Sequence, residues 1–477
     1  MPKKNNLTLT SPQQEAFDML VEFIRSKKEK VFILKGYAGT GKTTLVKYLI
    51  EELSKRNERF KLMASTGRAA KILSNITQNK AYTVHSTIYT FRDLNQDIES
   101  MLENPNKIKS ESKQLLLQFE RVDADNQDYE SYYYIIDESS MISDKPEQIV
   151  TQAEFGSGKL LSDLLEYDSK GKFIFVGDEC QLPPINSKSS PALSIKYFKD
   201  NFHIDAKEYS LTEIVRQTND NDIILASQKL RKLYYAPPIV KWGKFPLKHY
   251  KSIQIYSSQF DMLNKYITKI KKNGYNSTTL ITQSNKQCVI LTNLIRPALG
   301  FTETTIEVGD LLLVTQNNLI SGLMNGDMVK IVQIGTREKR AGLTFVKVEV
   351  EELYTERRLT QLMIENIIYL SETNLNQDSQ RELLIDFYYR MKKENIKQKS
   401  EIFKEKMRTD IYLNALRCVF GVAITCHKAQ GGEWDDVFLD IPKRLSYNTG
   451  QTEYQWLYTA VTRAKKKLHI VDDFYLT

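Results

Sequence analysis

Residues Gly36-Tyr-Ala-Gly-Thr-Gly-Lys-Thr43 follow the spacing Gly-x4-Gly-Lys-Ser/Thr. In such a loop the glycines let backbone N–H groups close around phosphates, and the helix that follows adds its positive end. The expected nucleotide-binding set is Gly36, Ala38, Gly39, Thr40, Gly41, Lys42, Thr43 and Thr44. Lys42 would reach the β and γ phosphates of a nucleoside triphosphate, and the Thr43 hydroxyl would bind Mg²⁺. Two acids follow in "YIIDESSM": Asp137 would hold the Mg²⁺, usually through water, and Glu138 would orient or activate the attacking water. "VGDECQLPPI" adds Gln181, placed for sensing a γ-phosphate, although Pro183-Pro184 also suits a merely rigid loop. "LTEIVRQ" and "YTAVTRA" supply Arg216 and Arg463, each able to stabilise charge on a transferring phosphoryl group. An isolated Asp-Glu pair or arginine is usually a solvated surface group. These gain weight from the loop that precedes them.

Elements must bring these residues together. "VFILKG", "FKLMAS", "YYYIIDESS" and "KFIFVGDE" read as buried strands, with helices at "GKTTLVKYLIEELSKR" and "GRAAKILSNI". Strands alternating with helices predict a parallel, doubly wound sheet. Ligands in such sheets sit beyond the carboxyl ends of the strands, where the phosphate loop, Asp137-Glu138 and Gly177-Asp178 all fall. The polar stretch between His85 and Tyr132 is too long for an ordinary loop and reads as a small subdomain with a hairpin around "LLLQFERVD". A second α/β pattern begins after Asn219 with "TTLITQSNKQCVILTNLIR". From Gly300 to about Leu370 the runs alternate as β-structure, with a turn signal at Asn325-Gly326-Asp327, which suggests a small inserted β-barrel. A charged helix or helical pair follows, and the chain returns to α/β with "VFGVAITCHKAQG".

The chain has 477 residues, enough for about three domains. Lys plus Arg total 67 against 59 acids, a net charge of +8, compatible with a nucleic-acid partner without establishing one. No apolar run approaches the roughly 20 residues of a membrane span, and the N-terminal residues carry no apolar signal core. Four cysteines without close pairing predict reduced thiols and a cytoplasmic location rather than a disulfide framework or zinc site. His85 and His427 lack metal-ligand spacing to another His or Cys, so each also reads as a structural histidine.

In order, the chain carries "LTSPQQEAF", "GYAGTGKTT", "ASTGRAAKIL", "YTVHS", "IIDESSM", "VGDECQLPPI", "LTEIVRQ", "ITCHKAQGGEWDDVFL" and "YTAVTRAKKKL". This series resembles the helicase motifs of superfamily 1, and in the form from Thr425 to Gly431 the RecD-like and Dda-like helicases of the 5′-to-3′ branch. The resemblance spans almost the whole chain. It implies two RecA-like α/β domains with ATP and Mg²⁺ between them, Gln13 reading adenine, and Arg463 closing on the γ-phosphate. It implies single-strand contacts at Thr66, Gly67 and Arg68, at Thr83, His85 and Ser86, and at Thr425, His427 and Lys428, with Gln430 joining strand to ATP cleft. Phe119 is the candidate tip of a strand-separating pin, against the alternative of an aromatic packed inside its subdomain.

The implied division is 1–218 for the first RecA-like domain, with a pin subdomain at about 87–131; 219–300 plus 411–477 for the second; and 301–410 for an SH3-like β-insertion with a charged helical extension. The implied activity is an ATP-dependent DNA helicase moving 5′ to 3′ on single strands and at single-strand/duplex junctions, expected to act as a monomer. The alternatives are a single-stranded nucleic-acid translocase or RNA helicase acting with a partner, and a nucleotide-dependent module that docks replication or repair proteins through the charged stretch 371–410. A P-loop kinase or transporter ATPase would not need the block 425–431.

Overall fold

Strand Val31–Gly36 (β1) carries four consecutive apolar side chains, and all four are at most 1 % exposed. Burial on both faces requires a layer on each side of the sheet, which a parallel α/β arrangement supplies. Phe32 and Leu34 join one core, with helices Ser11–Arg25 and Lys42–Lys55, while Val31 and Ile33 join another, with helices Leu160–Tyr167 and Ile195–Phe202. The computed structural model that shows this describes residues 9–103, 115–124, 132–146, 153–214, 222–370 and 372–477.

In chain order the next strands are Phe60–Ala64 (β2), Ala81–Thr83 (β3), Tyr89–Leu94 (β4), Leu117–Arg121 (β5), Tyr133–Asp137 (β6), Ala153–Phe155 (β7), Lys172–Gly177 (β8) and Lys207–Leu211 (β9). A six-stranded parallel sheet runs β3-β2-β6-β8-β1-β9. Its carboxyl edge therefore presents the phosphate loop after β1, Thr66 after β2, Glu138 after β6 and Asp178 after β8 on one side of the molecule.

Strands Ile253–Tyr256 (β10), Thr278–Thr282 (β11), Leu311–Val314 (β12), Met328–Arg340 (β13), Leu343–Glu352 (β14), Arg358–Ile364 (β15), Cys418–Phe420 (β16), Ile424–Thr425 (β17), Trp434–Leu439 (β18) and Ala464–Val471 (β19) complete the set. A second parallel sheet runs β10-β19-β18-β11-β17. The two parallel sheets are the centres of two RecA-like domains. An antiparallel sheet runs β15-β14-β13-β12-β16, and its two edges meet: Met363 bridges Leu416, with Ile364 N–H donating to Leu416 O at 3.0 Å and Leu416 N–H to Leu362 O at 2.7 Å. The sheet thus closes as the alternation predicted, and it takes its last strand from residues 418–420, beyond the inserted stretch 301–410.

The small sheet β4-β5-β7 departs from expectation. "LLLQFERVD" does not fold back on itself as a hairpin; its strand β5 pairs antiparallel with β4 and parallel with β7, more than 30 residues downstream. Phe119 sits mid-strand, its ring stacked 4.7 Å from Phe155 and 5.6 Å from Phe91, so it is a packed aromatic and not a tip. The charged stretch forms the helical pair Gln377–Lys393 and Glu401–Thr409. Its apolar faces (Leu384, Phe387, Met391, Phe403) share a core with Leu94, Ile98 and Leu115 of the small subdomain. Gln398 fastens the seam, accepting from Ile98 N–H at 2.9 Å and donating to Gln96 O at 2.9 Å.

Candidate nucleotide site and strand-binding face

The phosphate loop is held open by its own sequence. Gly39 and Gly41 adopt φ of 82° and 81°, a left-handed region costly for other residues. A Cβ on Gly41 would lie 2.2 Å from Gln13 Nε2. Gln13 is buried; its amide donates to Thr40 O at 3.1 Å and accepts from Thr10 N–H at 3.1 Å, so helix Ser11–Arg25 is pinned to the loop. Lys42 Nζ lies across the loop, donating to Gly36 O at 2.7 Å and Tyr37 O at 3.1 Å. Thr43 and Thr44 open helix Lys42–Lys55.

Three carboxylates crowd the carboxyl edge opposite Lys42. Asp137 accepts from Glu138 N–H at 2.9 Å, and burial raises its pKa. Glu138 stands in a left-handed conformation (φ 51°) just past β6. Burial pushes its carboxyl up to about 7, with Asp137 adding to the shift while Arg463 and Lys42 pull it down. Asp178, buried, is likewise raised by burial and opposed by Lys42 and Arg463. Phosphate-loop lysine, three acids and Arg463 therefore act on one another across a single cleft between the two parallel sheets.

Helix Gln451–Val461 and the turn after it form the second wall. Arg463 is buried and oriented by Thr459 O (3.0 Å), Gly432 O (3.3 Å) and the Thr462 hydroxyl (3.2 Å). Gln455 Nε2 donates to Gln181 O at 2.8 Å and Glu179 O at 3.2 Å, and Thr459 Oγ1 accepts from Leu182 N–H at 2.9 Å. Gln430 Nε2 donates to Leu182 O at 3.1 Å. The loop carrying Gln181 is thus gripped by three side chains of the second sheet. The Oε1 atoms of Gln181 and Gln430 are buried without a hydrogen-bond partner among the described residues. Arg216 lies outside the described residues.

The strand-contact candidates share a local design. Thr66, just past a strand, and Thr83 and Thr425, each at a strand end, cap the next helix, accepting from Ala69 N–H at 3.2 Å, Ser86 N–H at 3.1 Å and Lys428 N–H at 3.4 Å. Helix N-termini suit anionic phosphates. Gly67 packs against Met324 so closely that a Cβ would lie 2.2 Å from the Met324 Cβ. Arg68 is not on an open face: it is 7 % exposed, its guanidinium 4.4 Å from the Trp434 ring and 5.2 Å from that of Tyr354. His85 packs between Tyr89 and Phe155, and burial holds its pKa down near 4, a neutral imidazole. Burial also lowers His427, and it lowers Lys428 to about 8; Lys428 Nζ donates to Asn325 Oδ1 at 2.6 Å.

The "AAA domain" family matches residues 8–233, and the "UvrD-like helicase C-terminal domain" family matches residues 420–471. The ATP-dependent DNA helicase dda of Enterobacteria phage T4 is 24 % identical over 480 residues, 96 % of this chain and 98 % of that one. With these two family matches the chain is similar to the superfamily 1B helicases. An uncharacterized protein, R530, of Acanthamoeba polyphaga mimivirus is 25 % identical over 520 residues, covering 96 % and 98 %. The RecBCD enzyme subunit RecD of Buchnera aphidicola is 22 % identical over 470 residues, covering 92 % and 70 %. A solved Pif1 helicase from Bacteroides, in complex with ADP-AlF3 and ssDNA, has a TM-score of 0.48 at 18 % identity, covering 98 % and 93 %.

Three cleft residues were left unassigned by the sequence. Tyr458 joins the domains: its hydroxyl accepts from Ala38 N–H at 3.2 Å and donates to Asp178 Oδ2 at 2.7 Å. Asp178 was legible only as a strand end, and Gln455 only as one polar residue in an apolar helix. Both Tyr458 and Gln455 lie a few residues before Arg463, and that proximity was the available signal. For Mg²⁺, Thr43 and Asp137 offer oxygen donors at strand and helix ends, as that ion prefers. Three acids stand together in the cleft, and a divalent cation would offset the charge they carry when ionised. The residues present fit the ion.

Proposed function

We propose that the chain is an ATP-dependent DNA helicase that moves 5′ to 3′ along single-stranded DNA and opens duplex ahead of it. The observation that carries the reading is the cleft. Lys42 and the phosphate loop stand on the first parallel sheet, Arg463 on the second, and Asp137, Glu138, Asp178 and Gln181 between them.

Lys42 would leave the Gly36 and Tyr37 carbonyls to meet the β and γ phosphates, while the loop N–H groups bind the oxygens. Gln13, fixed to Thr40, would present its amide to the adenine edge. Thr43 and Asp137 would hold Mg²⁺, which when bound neutralises charge on the phosphates. Glu138, ionised, would orient the attacking water, and Gln181 would sense the γ-phosphate. Arg463 would stabilise charge on the transferring group from the opposite wall, so ATP favours a closed cleft and its hydrolysis favours an open one. Strand contacts would be divided between the domains: Thr66 and Thr83 on one, Thr425 and Lys428 on the other. A change in cleft angle would then change the spacing of the two grips.

The polarity rests on the superfamily 1B resemblance. The closed five-stranded sheet corresponds to the SH3-like insertion of that family, and the small sheet braced by the helical pair to its pin-bearing subdomain. ATP hydrolysis stimulated by single-stranded DNA, and much less by RNA of the same sequence, tests the substrate class. Equal stimulation by both, or by neither, would refute the DNA assignment.

A further inference from the structure

Between helix Asn285–Leu299 of the second RecA-like domain and the closed antiparallel sheet lies a cavity of about 460 Å³. This is within the roughly 300–1,000 Å³ of ordinary ligand sites. It borders the block 425–431 at Thr425 and Lys428 but extends beyond it to residues that no motif above includes. Its lining is polar at Thr425, Lys428 and Asn285, the last at the first turn of a helix capped by the Ser284 hydroxyl. It is aromatic and apolar at Phe301, Phe420 and Val419, with Tyr369 49 % exposed beside them.

The chemistry inside discriminates between occupants. One arginine, Arg296, lines the cavity, but its guanidinium is fully engaged. It holds Asp310 with Nε and Nη2 at 2.8 Å each, and donates to the carbonyls of Glu303 at 3.0 Å and Thr305 at 2.9 Å. It also lies 4.2 Å from the Phe420 ring and 5.5 Å from that of Phe301, stiffening the aromatic wall. Two acids, Glu303 and Glu372, line the same space. A phosphate beside Glu303 and Glu372 would meet carboxylates, with Arg296 already engaged. A flat, neutral ring with exocyclic donors would meet aromatic faces and carboxylate acceptors. The cation left for a phosphate is Lys428, whose Nζ has only the neutral Asn325 as a side-chain partner among the described residues.

We infer that this cavity receives one unstacked nucleobase of the bound single strand, with its phosphate held by Lys428. The inference rests on the helicase reading above and adds to it a base subsite between the second RecA-like domain and the barrel. Stacking faces are common to all four bases, so binding is broad, with the carboxylates favouring bases that carry an exocyclic amine.

The test is fluorescence anisotropy of single-stranded oligonucleotides, each carrying one abasic nucleotide, scanned position by position against the full chain. Stacking contributions to strand binding predict that one position loses about 5- to 150-fold in affinity when its base is removed. Val289→Trp fills the cavity from a position already 37 % exposed. It should abolish that position-specific loss while ATP hydrolysis without DNA stays unchanged. Tyr369→Ala should shrink the loss and Tyr369→Phe restore it. A flat abasic profile, or the wild-type profile in Val289→Trp, overturns the pocket. If strands with flat profiles still stimulate hydrolysis, the pocket alone is wrong. If no strand binds at all, the helicase reading falls with it.

Discussion

Gln455→Leu isolates the coupling between the two domains. The Gln455 amide makes two hydrogen bonds across the cleft, to Gln181 O at 2.8 Å and Glu179 O at 3.2 Å, and the residue is 3 % exposed. Leucine keeps the bulk and removes both donors, leaving two carbonyls without their partner. A buried polar group so stranded costs about 1–3 kcal/mol. Two groups that partly find water on opening should together cost about 2 kcal/mol, a shift of roughly 30-fold in the closed-to-open ratio. Because the broken bonds join different domains, the cost falls on closure and not on either fold. The assay is steady-state ATP hydrolysis with saturating single-stranded DNA, beside binding of a non-hydrolysable ATP analogue. We expect kcat to fall by an order of magnitude or more. Analogue affinity should change far less, because Lys42 and Gln13 are untouched, and the thermal midpoint should move by only a few degrees. Wild-type kcat would refute the claim that this grip positions Gln181. So would a large drop in Tm, which would place the cost in the fold of the second domain.

Further tests follow from other parts of the structure. Lys42→Ala should abolish hydrolysis while single-stranded DNA still binds in anisotropy; normal turnover would displace the site. Chelation of divalent cations should stop hydrolysis and be reversed by added Mg²⁺, as the Thr43–Asp137 donor set requires. Phe403→Ala, which empties a fully buried position in the core shared by the helical pair and the small subdomain, should cost about 3–5 kcal/mol. Amide exchange should then quicken in 89–94 and 377–409 but not in the parallel sheets. Burial holds the Lys428 pKa near 8, so its charge, and with it strand affinity, should be present below that pH and decline as pH rises through it. Lys428→Arg should flatten the dependence.

The parallel sheets were legible because their strands are short apolar runs buried on both faces, as Val31–Leu34 shows, and because chemistry collects at their carboxyl ends. The cleft was legible where its residues sit in spaced motifs: Lys42, Asp137 and Arg463 all bear on Glu138, and Gln181 lies on the loop that Gln455 grips. The barrel was legible from alternation, but its closing strand was not, since Cys418–Phe420 looks like the start of the returning α/β pattern. The small subdomain misled because β5 takes partners from 89–94 and 153–155, and pairing at such separation leaves no local mark. Arg68 and His85 read as strand contacts from their motifs, yet the first is clasped by Trp434 and Tyr354 and the second by Tyr89 and Phe155. The charged helical pair hid its role because its apolar residues are divided between two partners, Leu384 to Phe403 toward the small subdomain and Leu383 toward the antiparallel sheet, amid many charges.

The central claim is a motor with a defined direction, and strand displacement tests it most directly. Two partial duplexes, one with a 5′ single-stranded tail and one with a 3′ tail, are offered to the protein with ATP and Mg²⁺. The account predicts unwinding of the 5′-tailed substrate alone, lost in Lys42→Ala. Unwinding of the 3′-tailed substrate alone would contradict the assigned polarity, and failure to unwind either would contradict the helicase reading itself.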